Sequence, residues 1–186
     1  MSLGAVILAA GKSTRMGRDK AFLEFNGQPL LQRQIDLVRA AGAAEILISG
    51  RAGVDYSAYG LPVVLDQATD AGPLAGIHAA LSRTRNPQLL VLAVDMPQMT
   101  SAFLRLLQDA AVGGAGVVPR LAGQVEPLAA IYPRSARDLA GKLLGEHKYA
   151  VRSFASACVM SGLVAYMDCP AETGVLFKNL NTLADF

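Results

Sequence analysis

Val6-Ile7-Leu8-Ala9-Ala10-Gly11-Lys12-Ser13-Thr14-Arg15-Met16-Gly17-Arg18-Asp19-Lys20 is the stretch whose reading decides the fold. An apolar run, Ala5 to Ala10, stops at Gly11 and gives way to small and cationic side chains. A short continuous apolar run closed by Gly reads as a strand buried on both faces, as in a parallel sheet flanked by helices. Such a sheet presents backbone N–H groups to ligands at the carboxyl ends of its strands. Gly11 and Gly17 can take positive φ and let the backbone come close to an anion. Lys12, Arg15, Arg18 and Lys20 supply the positive charge that a triphosphate needs. The stretch is not a Walker A loop, because Arg18 follows Gly17 where Lys-Ser/Thr would stand, and it does not match G-x-G-x-x-G either. An ordinary strand-to-helix loop with solvated basic residues stays open as the alternative.

Downstream, Ala21 to Phe25 reads as a short extended piece closed by the turn Asn26-Gly27. Pro29 then precedes Leu30-Leu31-x-x-Gln34-Ile35-x-x-Val38, which has helical spacing and ends at Gly42. Glu45 to Ser49 and Leu61 to Leu65 are two more buried strands, the second followed by Asp66 at its end. Pro73 suits the first position of a helix running to about Thr84. Gly76 inside that helix costs about 1 kcal/mol relative to Ala, which points either to a ligand or to close packing.

Gln88 to Val94 is the most apolar strand, and it ends in Asp95-Met96-Pro97. A carboxylate there sits at the carboxyl edge of the sheet. Thr100, not Asp95, is placed to cap the following helix, so Asp95 is read as a Mg²⁺ ligand. The remainder alternates in the same way. A helix at 102–111, a glycine turn at 113–116 and strands at 117–119 and 126–132 are followed by an amphipathic helix at 134–144 stopped by Gly145. A helix beginning within 148–154 and a strand at 163–168 complete the pattern. This predicts one α/β domain over 1–186, doubly wound around a mostly parallel, Rossmann-like sheet.

Composition agrees with that reading and removes other classes. A chain of 186 residues with 52% hydrophobic content suits one domain with a sizeable core. A net charge of +2 argues against a nucleic-acid binder, since the cations concentrate between Lys12 and Lys20. Cys158 and Cys169 form neither a disulfide framework nor a metal-ligand set, and His78 and His147 are isolated. No apolar run reaches membrane-spanning length and no secretory signal is recognisable, so a cytoplasmic protein is expected.

Leu8-Ala9-Ala10-Gly11-x-Ser13-x-Arg15-Met16-Gly17-x-Asp19-Lys20 resembles the N-terminal signature of the nucleotidyltransferases that activate small phosphorylated molecules. Within that group it is most similar to the molybdenum cofactor guanylyltransferases of MobA type. Gly72-Pro73-Leu74-Ala75-Gly76 resembles the same family, and Asp95-Met96-Pro97 resembles its metal-binding turn. Phe177-Lys178-Asn179-Leu180-Asn181-Thr182 resembles its terminal signature, with Leu183 where Pro is usual. The resemblance implies transfer of GMP from GTP to molybdopterin with release of pyrophosphate, with Mg²⁺ as cofactor. Transient contact with cofactor-biosynthesis or molybdoenzyme-maturation proteins is a further expected partnership. Together, residues and resemblance place the nucleotide on Leu8, Ala9, Ala10, Gly11, Lys12, Lys20, Asp66 and Asp95. Lys20, Arg15 and Asp95 are the catalytic set, Asp95 the metal ligand, and Asn179 and Asn181 the acceptor contacts. One departure keeps two alternatives in view. Ala10 stands where the guanylyltransferases usually carry Gly, and Leu-Ala-Ala-Gly is commoner in cytidylyl- and sugar-nucleotidyltransferases. A cytidylyltransferase on the same or a related acceptor is the enzymatic alternative, and a non-catalytic nucleotide-binding module is the other.

Overall fold

In a computed structural model, described over residues 2–11, 19–65 and 71–180, the opening apolar run is a central strand. This strand, β1 (Leu3–Leu8), is buried at every residue. It is followed by a 3-10 turn (Lys20–Phe22), β2 (Glu24–Phe25), β3 (Gln28–Pro29), α1 (Leu30–Ala40), β4 (Glu45–Gly50) and β5 (Val63–Leu65). Next come α2 (Pro73–Arg83), β6 (Gln88–Ala93), α3 (Ser101–Ala110), β7 (Gly116–Leu121), β8 (Gln124–Val125) and β9 (Ala129–Pro133). The last elements are α4 (Ala136–Gly145), α5 (Val151–Met160), β10 (Val164–Asp168) and a 3-10 segment (Ala171–Phe177).

The main sheet runs β10-β7-β9-β6-β1-β4-β5, with β8 hydrogen-bonded to β7. β1 pairs in parallel with β4 on one side and β6 on the other, and β5 continues parallel to β4. β9 runs antiparallel to both β6 and β7. Side chains alternate along β1 as a pleated strand requires. Leu3, Ala5 and Ile7 enter one apolar layer with α1 and α3, while Val6 and Leu8 enter the other with α2, α4 and α5. Burial on both faces explains why the parallel strands read as continuous apolar runs.

Local chemistry sets the element ends. Thr100 caps α3, its hydroxyl accepting from Phe103 N at 3.2 Å. Gly42, at φ 93°, takes the left-handed turn that ends α1. The extended piece expected at Ala21 to Phe25 is corrected at its start: Ala21 and Phe22 are not extended, because the Asp19 carboxylate accepts from Ala21 N at 3.1 Å and winds Lys20–Phe22 into a 3-10 turn. Only Glu24–Phe25 remains to pair with Gln28–Pro29 around Asn26-Gly27, both at positive φ. α4 ends at Gly145, its last residue, and His147 takes the left-handed conformation at φ 57°. The β7–β8 hairpin, turned through Ala122 and Gly123, carried no signal strong enough to be read. Cys158 is buried against α2 and α4, and burial pushes its thiol up to about 12.

Gly76 packs α2 onto the sheet. A β-carbon there would collide with the Ser49 hydroxyl oxygen and lie 3.3 Å from Leu8 Cδ2. Gly76→Ala therefore sets a gain of about 1 kcal/mol in helix propensity against about 1–3 kcal/mol of overpacking. The expected outcome in urea denaturation is a net loss of stability that Ser49→Ala largely restores in the double variant. Additive losses would refute the contact.

Candidate active site

The parallel registers bring three strand ends together. Leu8 lies opposite Ser49 of β4 and Ala93 of β6, so the residues that follow each gather at one edge of the sheet. Backbone bonds continue the alignment past the strands, from Ala9 N to Ser49 O at 2.8 Å and from Val94 N to Leu8 O at 3.2 Å. A cleft of about 680 Å³ opens there, within the roughly 300–1,000 Å³ typical of small-molecule sites. Leu8 to Gly11 form its floor, Ser49 and Arg51 one wall, and Val94 and Asp95 the other. Gly72, Pro73 and Gly76 bring the start of α2 to its rim, and Lys20 reaches in beside Asp95. Among the described residues no side chain caps α2, whose N-terminus, with its partial positive charge, lies at the cleft.

Lys20 is the junction. Its Nζ lies 3.2 Å from Asp95 Oδ2 and donates to Leu180 O at 2.7 Å. Leu180 N donates in turn to Asp95 O at 3.0 Å. The terminal segment is thereby tied to the strand end that carries Asp95. Both side chains are only about a fifth exposed, 18% for Lys20 and 21% for Asp95, so solvent screens their attraction incompletely. Asp19 holds the 3-10 turn that aims Lys20, and its Oδ2 also meets Arg51 Nη2 at 3.4 Å.

A family model for the MobA-like NTP transferase domain matches residues 5–160. The chain belongs to that family. It is a nucleotidyltransferase. Among curated relatives of this MobA-like chain, the probable molybdenum cofactor guanylyltransferase of Opitutus terrae is 38% identical, over 99% of this chain and 93% of its own length. Among solved structures, the molybdopterin-guanine dinucleotide biosynthesis protein A of Archaeoglobus fulgidus superposes with a TM-score of 0.77 at 23% identity, covering 98% of this chain and 94% of that one. Rv0371c of Mycobacterium tuberculosis, crystallised in complex with manganese, has a TM-score of 0.63 at 23% identity, covering 100% and 96%. These two structures share the fold of the MobA-like chain.

Within this MobA-like nucleotidyltransferase, Leu8, Ala9, Ala10, Gly11, Lys20 and Asp95 of the sequence-predicted set line one cleft. Lys12, Arg15, Gly17, Asp66 and Asn181 lie outside the described residues. Asn179 is exposed and does not line the cleft; its neighbour Leu180 is what reaches Lys20. Gly11 does not use the positive φ open to it, and a β-carbon on it would meet nothing within 4 Å. Gly72 is the glycine that the backbone requires at this cleft. Its φ of 64° and ψ of −161° lie in a region open essentially to glycine alone. Arg51 and the Leu180 carbonyl escaped sequence reading, although Arg51 lies two residues past the predicted strand end at Ser49. Lys148 is exposed and pairs with Glu146 at 2.8 Å, and the helix expected to begin within 148–154 starts at Val151.

Among the described residues no cluster of three or more acidic, His or Cys side chains could hold a metal ion. Asp95 is the acidic side chain among the described lining residues. One carboxylate suits a hard cation that keeps its waters and takes further oxygens from a substrate's phosphates, as Mg²⁺ does. The donor set thus fits a divalent cation arriving with a nucleotide. The described residues also contain no helix long and apolar enough to cross a membrane.

The part-buried contacts of Lys20 tie the Asp95 turn to the terminal segment. Lys20→Met should lower unfolding free energy by about 1–2 kcal/mol, the scale of a hydrogen bond from a charged donor, and should speed proteolysis near residues 178–180. Wild-type stability together with wild-type cleavage would show that Lys20 does not anchor the terminal segment.

Proposed function

We propose that this nucleotidyltransferase moves GMP from GTP to the terminal phosphate of molybdopterin, releasing pyrophosphate and forming the guanine dinucleotide cofactor. The observation that carries the reading is the pairing of Lys20 with Asp95 beside the Leu8–Gly11 floor of the cleft. The names of the Opitutus and Archaeoglobus proteins support the choice of substrates.

The chemistry follows from the side chains. Attack by a phosphate monoester needs no general base, since its second pKa near 6 leaves it largely dianionic at neutral pH. That agrees with His147 lying exposed against Tyr149, at 2.7 Å from its hydroxyl. Displacement at phosphorus rests on positioning and charge neutralisation. Lys20, held between Asp95 and Leu180, offers its ammonium to the nucleotide's phosphates, and the N-terminus of α2 adds a second positive element. Asp95 would hold a divalent cation, Mg²⁺ in this reading, which when bound offsets the charge on the reacting phosphate and its leaving group. Manganese in the Rv0371c complex is an ion of the same class. A purely regulatory nucleotide-binding module would have no need of a carboxylate for a cation. The cytoplasm, where GTP is available, fits this activity.

Ala10 favours a second reading, CTP in place of GTP, and one titration separates them. At a hundredfold excess over Kd a ligand adds about 2.7 kcal/mol, which raises Tm by about 5–10 °C for a chain of this size. With Mg²⁺ present, GTP is expected to give this shift and CTP a much smaller one. Equal shifts would remove the guanine assignment. Asp95→Asn, which keeps shape but removes charge, should cut pyrophosphate release from GTP and molybdopterin by on the order of 10²-fold or more, the scale of several kcal/mol. Wild-type turnover by that variant would remove the metal role.

A further inference from the structure

α1 carries a polar side chain where its spacing calls for an apolar one. Gln34 occupies the same buried face as Leu31, Ile35 and Val38 and is 0% exposed. Its Nε2 donates to Met96 O at 2.8 Å and to Val94 O at 3.4 Å, the two carbonyls that bracket Asp95. Its Oε1 is buried without a partner among the described residues. The preceding residue, Arg33, donates from Nε to Pro97 O at 2.8 Å.

A buried amide with an orphan acceptor is a poor choice for packing, and an apolar side chain of the same length would fill the space at lower cost. Met96 O also accepts from Met99 N at 3.2 Å, so it does not depend on Gln34 for a partner. What the amide adds is direction. It fixes the peptide groups on both sides of Asp95 from beneath, while Leu180 N holds Asp95 O from above at 3.0 Å. We infer that Gln34 is a positioning residue, which sets the Asp95 carboxylate against Lys20 and so governs divalent-cation binding and turnover without touching substrate. This rests on the reading of Asp95 as the cation ligand.

The test is Gln34→Met, which keeps an unbranched side chain and removes both donors, with Gln34→Leu as a second apolar variant. Mn²⁺ binding in the presence of GTP is measured by loss of the free-ion EPR signal, alongside Tm and the kinetics of pyrophosphate release. The expected result is a Tm within about 4 °C of wild type, equivalent to about 1 kcal/mol. The Mn²⁺ Kd should rise and kcat should fall by about 10–100-fold, as for lost outer contacts to a metal ligand, with KM for GTP changed by less than about threefold. Wild-type Mn²⁺ affinity and kcat in either folded variant would overturn the inference and leave the Asp95 reading intact. Loss of the fold in both variants would make Gln34 a structural residue and overturn it as well. A wild-type protein that binds no Mn²⁺ with GTP present would overturn the Asp95 reading and this inference together.

Discussion

The ammonium of Lys20 sits between the Asp95 carboxylate, at 3.2 Å, and the Leu180 carbonyl, at 2.7 Å, and this one contact joins parts of the chain far apart in sequence. A lysine held this way cannot swing freely into solvent. Its charge is held at the cleft by these two contacts. The arrangement also restrains Asp95, since the backbone bond from Leu180 N and the side-chain contact from Lys20 act on the same residue.

Everything that brings these groups together follows from parallel pairing on both sides of β1. Parallel strands begin at one edge and end at the other, so consecutive loops emerge on the same side. With Leu8 opposite Ser49 and Ala93, no chain reversal is needed to place Gly11, Arg51 and Asp95 around one cleft. β9, inserted antiparallel next to β6, contributes through the loop before it: Leu128 O accepts from Ala93 N at 2.8 Å and Leu128 lines the cleft.

The helices then narrow the site. Gly76 lets α2 press onto Ser49, and Gly72 lets the chain turn sharply into the helix at the cleft rim. The opposite layer holds the Asp95 turn through Gln34 and Arg33 of α1. An aromatic contact between Phe22 and Tyr56, ring centroids 5.8 Å apart, ties the Lys20 turn to the loop after β4. The turn that carries Lys20 is therefore packed against the segment that follows the Ser49 strand.

The amino-acid sequence by itself determined the strand-helix alternation, the burial of β1, β4 and β6, the cap at Thr100 and the location of Lys20 and Asp95 on loops that follow strands or turns. These are local properties, because periodicity, branched side chains and capping oxygens act within a few residues of themselves. Tertiary structure alone decided the reversal of β9, the arrival of Leu180 at Lys20, and the exposure of Asn179 beside it. It likewise decided that Gly72 rather than Gly11 carries the positive φ at the cleft, and that Gln34 spends its donors on the Asp95 turn. Each of these depends on which distant backbone group lies within hydrogen-bond reach. That distance is set by how the two layers pack on the sheet, a property that no window of neighbouring residues contains.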